Sequence, residues 1–206
     1  MPHVLIFGDS NTHGSQPDGA DVDRLSPEDR WAGHVARELG ADWRLTVDGL
    51  PGRTCVLDDP IEGAWKNGSR VLPASLQTHA PLDGVAIMLG TNDQKARFAL
   101  SGLEIAYGLR PLLHMVDRLA PGARILVVCP PAVQETGLST PIFRGATDRC
   151  ADLPAHMAEI AAVEGAGFFD ANTVISTDAE EGVHFGPEAH AALGRALAPA
   201  FRKQFT

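Results

Sequence analysis

The sequence predicts an α/β fold in which helices cover both faces of a parallel sheet. Strand-like runs alternate with helix-like segments along the 206 residues, as expected of parallel strands joined by helices. Residues 85–89 and 125–129 are apolar throughout, as strands buried on both faces require. The length suits a single core, and no internal repeat or interdomain linker is present. Residues 1–206 are therefore predicted to form one domain.

The first half of the chain contains two predicted strands with a helix between them. The strands are short runs at residues 4–7 and 43–47. The helix is predicted to start after the N-cap Ser26, with a proline at its first position, and to end at Gly40. The connection over residues 49–82 is too long for a loop without secondary structure of its own, so we expect it to cover the surface as loop and short helix.

The second half repeats the alternation and ends in a long helix. A second long connection, residues 130–147, follows the fourth strand. Both long connections leave from the carboxyl end of a strand, where open α/β sheets place their ligand sites. The predicted elements are a strand at residues 85–89, a helix at 103–119, a strand at 125–129, a helix at 148–164, a strand at 167–170 and a helix from Pro187 towards Phe205.

The composition argues against several classes of partner. The net charge of −9, from 17 basic and 26 acidic residues, disfavours nucleic acid and anionic membranes. No apolar run approaches the roughly 18 residues that span a bilayer. The first ten residues lack the pattern of a signal peptide, and the three cysteines are scattered without a CxxC motif. We therefore expect a reduced, cytoplasmic protein.

A candidate nucleophile and a candidate base lie at opposite ends of the chain. Ser10 follows Gly-Asp directly after the first strand, and a serine hydroxyl needs a base to become nucleophilic. His184 lies in a glycine-rich loop before the last helix, a setting that the other seven histidines lack. Glu181, three residues earlier, is the candidate partner that would orient the imidazole, with Asp178 and Glu180 as competitors. The alternative is that these acids form a solvated loop.

Three groups could hold the oxyanion that forms when a serine attacks an acyl carbonyl. They are the backbone N–H groups of Ser10 and Gly52 and the side-chain amide of Asn92, which follows the third strand. Asn92 alone could equally close an Asx-turn, and Gly52 could form a plain Pro-Gly turn. In a strand order of 2-1-3-4-5, Ser10 and Asn92 would face each other at the switch point of the sheet. Their combination with His184 therefore predicts acyl transfer.

At these residues the sequence resembles the GDSL or SGNH hydrolase family, which is named for four residues in separate blocks. Ser10 matches the serine of Gly-Asp-Ser, and Gly52 falls in the glycine block. Asn92 matches the asparagine of Gly-x-Asn-Asp, and His184 the histidine of Asp-x-x-His. The resemblance implies a three-layer α/β/α, flavodoxin-like fold with a five-stranded parallel sheet in the order 2-1-3-4-5.

Residues 82–95 and 168–185 are further similar to the bacterial arylesterase and acyltransferase branch of this family. That similarity implies cleavage of small esters and thioesters without a metal or other cofactor, and assembly into a homo-oligomer. The chain departs from the family at two positions. Asn11 stands where the family has leucine, and Glu181 stands where it has the aspartate of the triad.

Other polar and aromatic residues near these motifs have predicted supporting roles. The Asp9 carboxylate is expected to accept N–H groups of the serine turn, and Asp93 is a second supporting acid. Asn11, Trp65 and Phe143 are candidates for the wall of an acyl or aryl pocket. A place in the ordinary core is the alternative for the two aromatic residues.

The leading hypothesis is a serine esterase for small or short-chain acyl esters. Water would resolve the acyl-enzyme, or an alcohol would do so and complete an acyl transfer. A metal-dependent hydrolase is the first alternative, with Asp9, Asp93, His184 and His190 as ligands, although the spacing of the two histidines is poor for a metal. A binding module without activity is the second, although GxGxxG and Walker A patterns are absent.

Overall fold

The computed structural model describes residues 1–17 and 24–206. Its centre is a sheet of five parallel strands in the order β2-β1-β3-β4-β5, which confirms the predicted topology. The strands are β1 (His3–Gly8), β2 (Arg44–Gly49), β3 (Gly84–Met88), β4 (Arg124–Cys129) and β5 (Gly167–Asp170).

Helices of very different length connect the strands. Single 3₁₀ turns occur at Ala64–Lys66, Asn92–Gln94, Gly137–Ser139 and Ala171–Thr173. The α-helices are α1 (Ser10–His13), α2 (Trp31–Leu39), α3 (Gly68–Thr78), α4 (Gly102–Leu119), α5 (Thr140–Phe143), α6 (Ala146–Arg149), α7 (Leu153–Val163) and α8 (Pro187–Phe205). No helix in the described ranges is both long enough and apolar enough to cross a membrane.

The core consists of two apolar layers, one on each face of the sheet. Successive side chains of a strand point to opposite faces. Val4 and Ile6 of β1 accordingly pack with α2 and α8, whereas Leu5 and Phe7 pack with α3, α4 and α7. All four side chains are fully buried, and each such burial stabilises the fold by about 1.5–3 kcal/mol. The three-layer α/β/α architecture therefore follows the prediction.

Helix α2 begins later than the sequence predicts. Ser26 does not act as its N-cap, because the hydroxyl donates to the carboxylate of Asp29 at 2.8 Å. The helix starts at Trp31, whose backbone N–H is accepted by Nδ1 of His190 at 3.0 Å. A side chain from α8, 159 residues further along the chain, therefore caps the first turn of α2.

The predicted helix over residues 148–164 is interrupted in the structure. Helix α6 ends at Arg149, and α7 begins at Leu153 with Pro154 in its first turn. A proline inside a continuous helix would lose a backbone hydrogen bond and clash with the carbonyl four residues earlier. In the first turn its missing N–H costs nothing, so a new helix starts there.

Candidate active site

Ser10 lies at the carboxyl edge of the sheet, in the turn that follows β1. It is the first residue of the short helix α1, and Asp9 is the N-cap of that helix. The Asp9 carboxylate accepts the backbone N–H of Asn11 at 3.0 Å. Burial raises the pKa of Asp9, and the hydrogen bond from Asn11 opposes this rise. Asp9 is therefore placed to hold the turn that presents Ser10.

Glu181 and His184 are paired in the loop that precedes α8. Oε1 of Glu181 lies 3.0 Å from Nδ1 of His184. Oε2 accepts the backbone N–H groups of Val183 at 2.9 Å and His184 at 2.6 Å. Burial acts to raise the pKa of Glu181, but these bonds outweigh it and hold the pKa below its ordinary value. The carboxylate is therefore charged at neutral pH and fixes the imidazole.

Asp178, the competing acid, does not contact the ring of His184. Its Oδ1 accepts the backbone N–H groups of Glu180 at 2.9 Å and Glu181 at 2.8 Å. Its own N–H donates to the carbonyl of His184 at 2.7 Å, and its carbonyl accepts the N–H of Gly182 at 2.8 Å. Asp178 therefore folds the loop, and Glu181 is the acid at the imidazole.

The side-chain amide of Asn92 is held at one of its two hydrogens. Asn92 lies in the 3₁₀ turn after β3, and Nδ2 donates to the carbonyl of Arg53 at 3.1 Å. A primary amide carries two N–H groups, so the second stays available to a ligand. Asn92 is 5% exposed and lines the same cavity as Ser10.

Gly52 lies in a tight turn after β2 and has a positive φ of +79°. A Cβ at this position would lie 2.3 Å from Oε2 of Glu62. The positive φ therefore favours glycine here, and a larger residue would also displace the Glu62 carboxylate. The turn is closed by the N–H of Arg53, which donates to the carbonyl of Leu50 at 3.2 Å.

Arg53, which the sequence reasoning missed, connects this turn to two strands. Its Nη1 donates to the carbonyls of Gly8 at 2.9 Å and Asp48 at 2.7 Å. Its Nη2 pairs with the Asp48 carboxylate at 2.8 Å, and the guanidinium lies 3.9 Å above the centre of the Phe7 ring. The only signal in the sequence was an arginine directly after the predicted turn.

Asp93 ties the Asn92 turn to the loop after Gly52. Its carboxylate is buried and accepts the backbone N–H of Cys55 at both oxygens, at 3.0 and 3.1 Å. Burial raises the pKa of Asp93 to about 6, against the hydrogen bonds from Cys55. The supporting role predicted for Asp93 is compatible with this position.

One cavity of about 250 Å³ brings most of the predicted residues together. It also contains residues that the sequence reasoning did not identify, and these come from five separate segments of the chain. The lining residues are Ser10, Ser15, Gln16, Pro51, Gly52, Glu62, Asn92, Lys95, Leu138, Ser139, Ile142, Phe143, Glu181, Val183 and His184.

Of the three residues predicted for the pocket wall, Phe143 alone is among those lining the cavity. The side chain of Trp65 is 65% exposed and lies outside the wall, because it projects from the surface of the 3₁₀ turn. Asn11 is fully buried behind the wall, where Nδ2 donates to the carbonyl of Val183 at 3.2 Å. It therefore braces the His184 loop against the serine turn.

The ligand set of the metal alternative is not assembled. His190 is buried and accepts the N–H of Trp31, and burial lowers its pKa to about 3, so it is neutral. Asp93 is occupied by Cys55. Within residues 1–17 and 24–206, no group of three or more histidine, cysteine or acidic side chains is arranged to hold a metal ion.

The chain is similar to known proteins over nearly its whole length. The model of the GDSL-like lipase/acylhydrolase family matches residues 6–192. The native aryl esterase of M. smegmatis superimposes with a TM-score of 0.91 at 39% identity, covering 98% of this chain and 99% of that chain. A carbohydrate acetylesterase from Sinorhizobium meliloti superimposes with a TM-score of 0.94 at 36% identity, again over 98% and 99% of the two chains.

A curated relative is similar over a shorter stretch. The Holliday junction branch migration complex subunit RuvA of Streptomyces griseus subsp. griseus is 31% identical over 135 residues. These residues make up 64% of this chain and 53% of that protein. The chain therefore spans about half the length of the curated relative that it matches.

Proposed function

The chain belongs to the GDSL-like lipase/acylhydrolase family, and from this premise we propose that it is a serine esterase for small acyl esters. Membership of the family and the esterase structures support carboxylic ester hydrolysis. One observation carries the mechanism. Oε1 of Glu181 lies 3.0 Å from Nδ1 of His184, and both residues line the same cavity as Ser10.

In the proposed reaction, Oγ of Ser10 attacks the acyl carbonyl while Nε2 of His184 takes the hydroxyl proton. Glu181 accepts the N–H of Nδ1, fixes this tautomer and stabilises the imidazolium. His184 then returns the proton to the departing alcohol, which leaves an acyl group on Ser10. A water molecule, activated by the same imidazole, releases the acid and restores the serine.

Three donors would stabilise the tetrahedral intermediate. The backbone N–H of Ser10 belongs to the first turn of α1, whose positive dipole end favours a negative charge. The N–H of Gly52 and the free hydrogen of the Asn92 amide are the other two. Each preorganised donor of this kind lowers the barrier by about 3–4 kcal/mol. The clamp on Asn92 by the Arg53 carbonyl supports such preorganisation.

The cavity favours small substrates. Its volume of about 250 Å³ lies below the usual range for ligand pockets, about 300–1,000 Å³. Leu138, Ile142, Phe143 and Val183 form an apolar side. We propose that a short acyl or aryl group lies against this side, and that thioesters and acceptor alcohols enter the same site. Transfer to an alcohol would then compete with hydrolysis.

Partners and location are proposed here from the sequence alone. A nucleic-acid partner, which the name of the curated relative suggests for that relative, is disfavoured here by the net charge of −9. A homo-oligomer and a cytoplasmic location stay predictions.

The test of this function is the substitution Ser10→Ala. We expect loss of p-nitrophenyl acetate hydrolysis with an unchanged circular dichroism spectrum and thermal midpoint. A fluorophosphonate probe should label the wild type once, at Ser10, and should not label the variant. Ser26→Ala, which removes an exposed hydroxyl, is the control and should be labelled like the wild type. Retained turnover in Ser10→Ala, or labelling of a different residue, would overturn the proposal.

A further inference from the structure

A cluster of four charged side chains lies beside the turn of Gly52, and two of them, Glu62 and Lys95, line the wall of the cavity. Glu62 accepts hydrogen bonds at Oε1 from Nζ of Lys95 and Nη2 of Arg97. Arg97 also donates to Oδ2 of Asp59 at 2.6 Å, and Nζ of Lys95 lies 3.7 Å from the same oxygen. The cluster thus contains two cations and two anions, whose charges cancel. The reaction proposed above does not use any of the four.

The cluster is held rigidly and is mostly shielded from water. The side chain of Lys95 is 5% exposed and that of Asp59 is fully buried. Oδ1 of Asp59 accepts the backbone N–H groups of Ile61 at 2.9 Å and Glu62 at 3.0 Å. Burying a charge without a partner is costly, so each of these groups depends on the others. Charge balance is therefore built into this wall.

The Glu62 carboxylate lies beside the turn of Gly52, which is part of the proposed oxyanion site. Its Oε2 lies 2.3 Å from the position that a Cβ on Gly52 would occupy, and Glu62 lines the cavity together with Ser10 and Asn92. An uncompensated negative charge there would repel both the oxyanion and any anionic substrate. Lys95, which also lines the cavity, and Arg97 remove that repulsion.

We propose that Glu62 and Lys95 determine substrate charge specificity: their balanced pair adds no net charge to this wall, so that the wall neither repels nor attracts an anionic ester. This inference rests on the proposed serine esterase function. Removing one member exposes the charge of the other. When one unit of charge lies a few ångströms from the substrate in a partly exposed site, it changes the relative rates for anionic and neutral substrates by about tenfold or more.

The test compares two aryl acetates, the anion 4-acetoxybenzoate and its uncharged methyl ester. Their intrinsic difference in reactivity cancels when the ratio of their rates is compared between variant and wild type. In Glu62→Gln, whose amide oxygen can still accept hydrogen bonds, the wall carries one excess positive charge. We expect the ratio of kcat/KM for the anion to that for the neutral ester to rise about tenfold. The rise should shrink when the ionic strength is increased, which a purely structural effect would not do.

Lys95→Met leaves the opposite imbalance, so the same ratio should fall and kcat for the neutral ester should also fall. The double variant Glu62→Gln/Lys95→Met restores neutrality and should return the ratio towards that of the wild type. Glu164→Gln is the control, because its partner Arg110, at 2.6 Å, lies outside the cavity. If Lys95→Met does not fold, Glu62→Gln decides alone, since the Glu62 side chain is 34% exposed.

An unchanged ratio in Glu62→Gln at both ionic strengths would overturn this inference. The proposed function is tested separately in the same preparations by fluorophosphonate labelling of Ser10. Labelling with an unchanged ratio would refute the role of Glu62 and Lys95 only. Full turnover in Ser10→Ala would refute the esterase mechanism itself.

Discussion

The Glu181 carboxylate binds the His184 imidazole at 3.0 Å and two backbone N–H groups of the same loop, so a single side chain fixes both the ring and its support. One oxygen of Glu181 reaches the ring while the other is held by the backbone N–H groups of the loop. The loop thus accommodates one methylene more than the aspartate that the family has at this position.

We predict that Glu181→Gln lowers kcat for p-nitrophenyl acetate by about 10²–10⁴-fold, because an amide cannot stabilise the imidazolium. Asp178→Asn is the matched control. Its amide oxygen can still accept the N–H groups of Glu180 and Glu181, so we expect a loss of about tenfold or less. A larger loss in Asp178→Asn than in Glu181→Gln would move the triad acid to Asp178.

The place of the Asn92 amide in the proposed oxyanion site predicts that Asn92→Ala changes kcat and KM unequally. The amide contributes mainly to the transition state, so kcat should fall by about 10²–10³-fold with little change in KM. Asn172→Ala is the control, since Asn172 accepts the N–H of Ala132 at 2.7 Å and does not line this cavity. A rise in KM with unchanged kcat would show that Asn92 binds the ground state instead.

Arg53 gives a prediction in which stability and activity change together. Arg53→Met removes one hydrogen bond from the carbonyl of Gly8 and leaves the carboxylate of Asp48 without its cationic partner, and Arg53 is 2% exposed. We expect the free energy of unfolding to fall by about 2–4 kcal/mol, as measured by urea denaturation. We also expect kcat to fall, because the Gly52 turn loses the support of the guanidinium and the backbone carbonyl of residue 53, which binds the Asn92 amide, is held less firmly.

Arg53→Lys separates the two effects. It keeps the charge but loses the planar fork that reaches both strands, so stability should recover partly while kcat stays low. Full recovery of kcat in Arg53→Lys would contradict a positioning role for the guanidinium.

The sequence was sufficient to predict those parts of the fold and the candidate site that depend on local patterns. The central strands are predictable because their runs are apolar, and Ser10 and Asn92 are predictable because they lie two and four residues after the ends of β1 and β3. Parallel strands bring their carboxyl ends to one edge, so the meeting of these residues follows from topology alone.

The remaining features depend on contacts between distant segments, which local patterns do not encode. Ser26 has the pattern of an N-cap, but the hydrogen bond that caps the first turn of α2 comes from His190 of α8. The buried wall of Glu62 and Lys95 joins loops that are 33 residues apart. Trp65 lies in one of the long connections that approach the site, but its side chain is directed to the surface.

His190 yields the last prediction, which concerns the dependence of stability on pH. Burial lowers its pKa from an ordinary value of 6.5 to about 3, and Nδ1 accepts the N–H of Trp31 only when the ring is neutral. Between these two pH values the unfolded chain binds a proton that the folded chain does not bind. The contribution of His190 to the free energy of unfolding is therefore complete above pH 6.5 and falls as the pH drops, by up to about 1.4 kcal/mol per pH unit.

Asp93 acts in the opposite direction, because its raised pKa of about 6 makes the folded state bind the extra proton below that pH. The comparison of wild type with His190→Asn cancels this contribution. Asparagine offers an acceptor for Trp31 but does not titrate. The free energy of unfolding of His190→Asn, measured with urea, should therefore fall less steeply than that of the wild type between pH 6.5 and 4. Equal slopes for wild type and His190→Asn would show that His190 is not the buried neutral cap of α2.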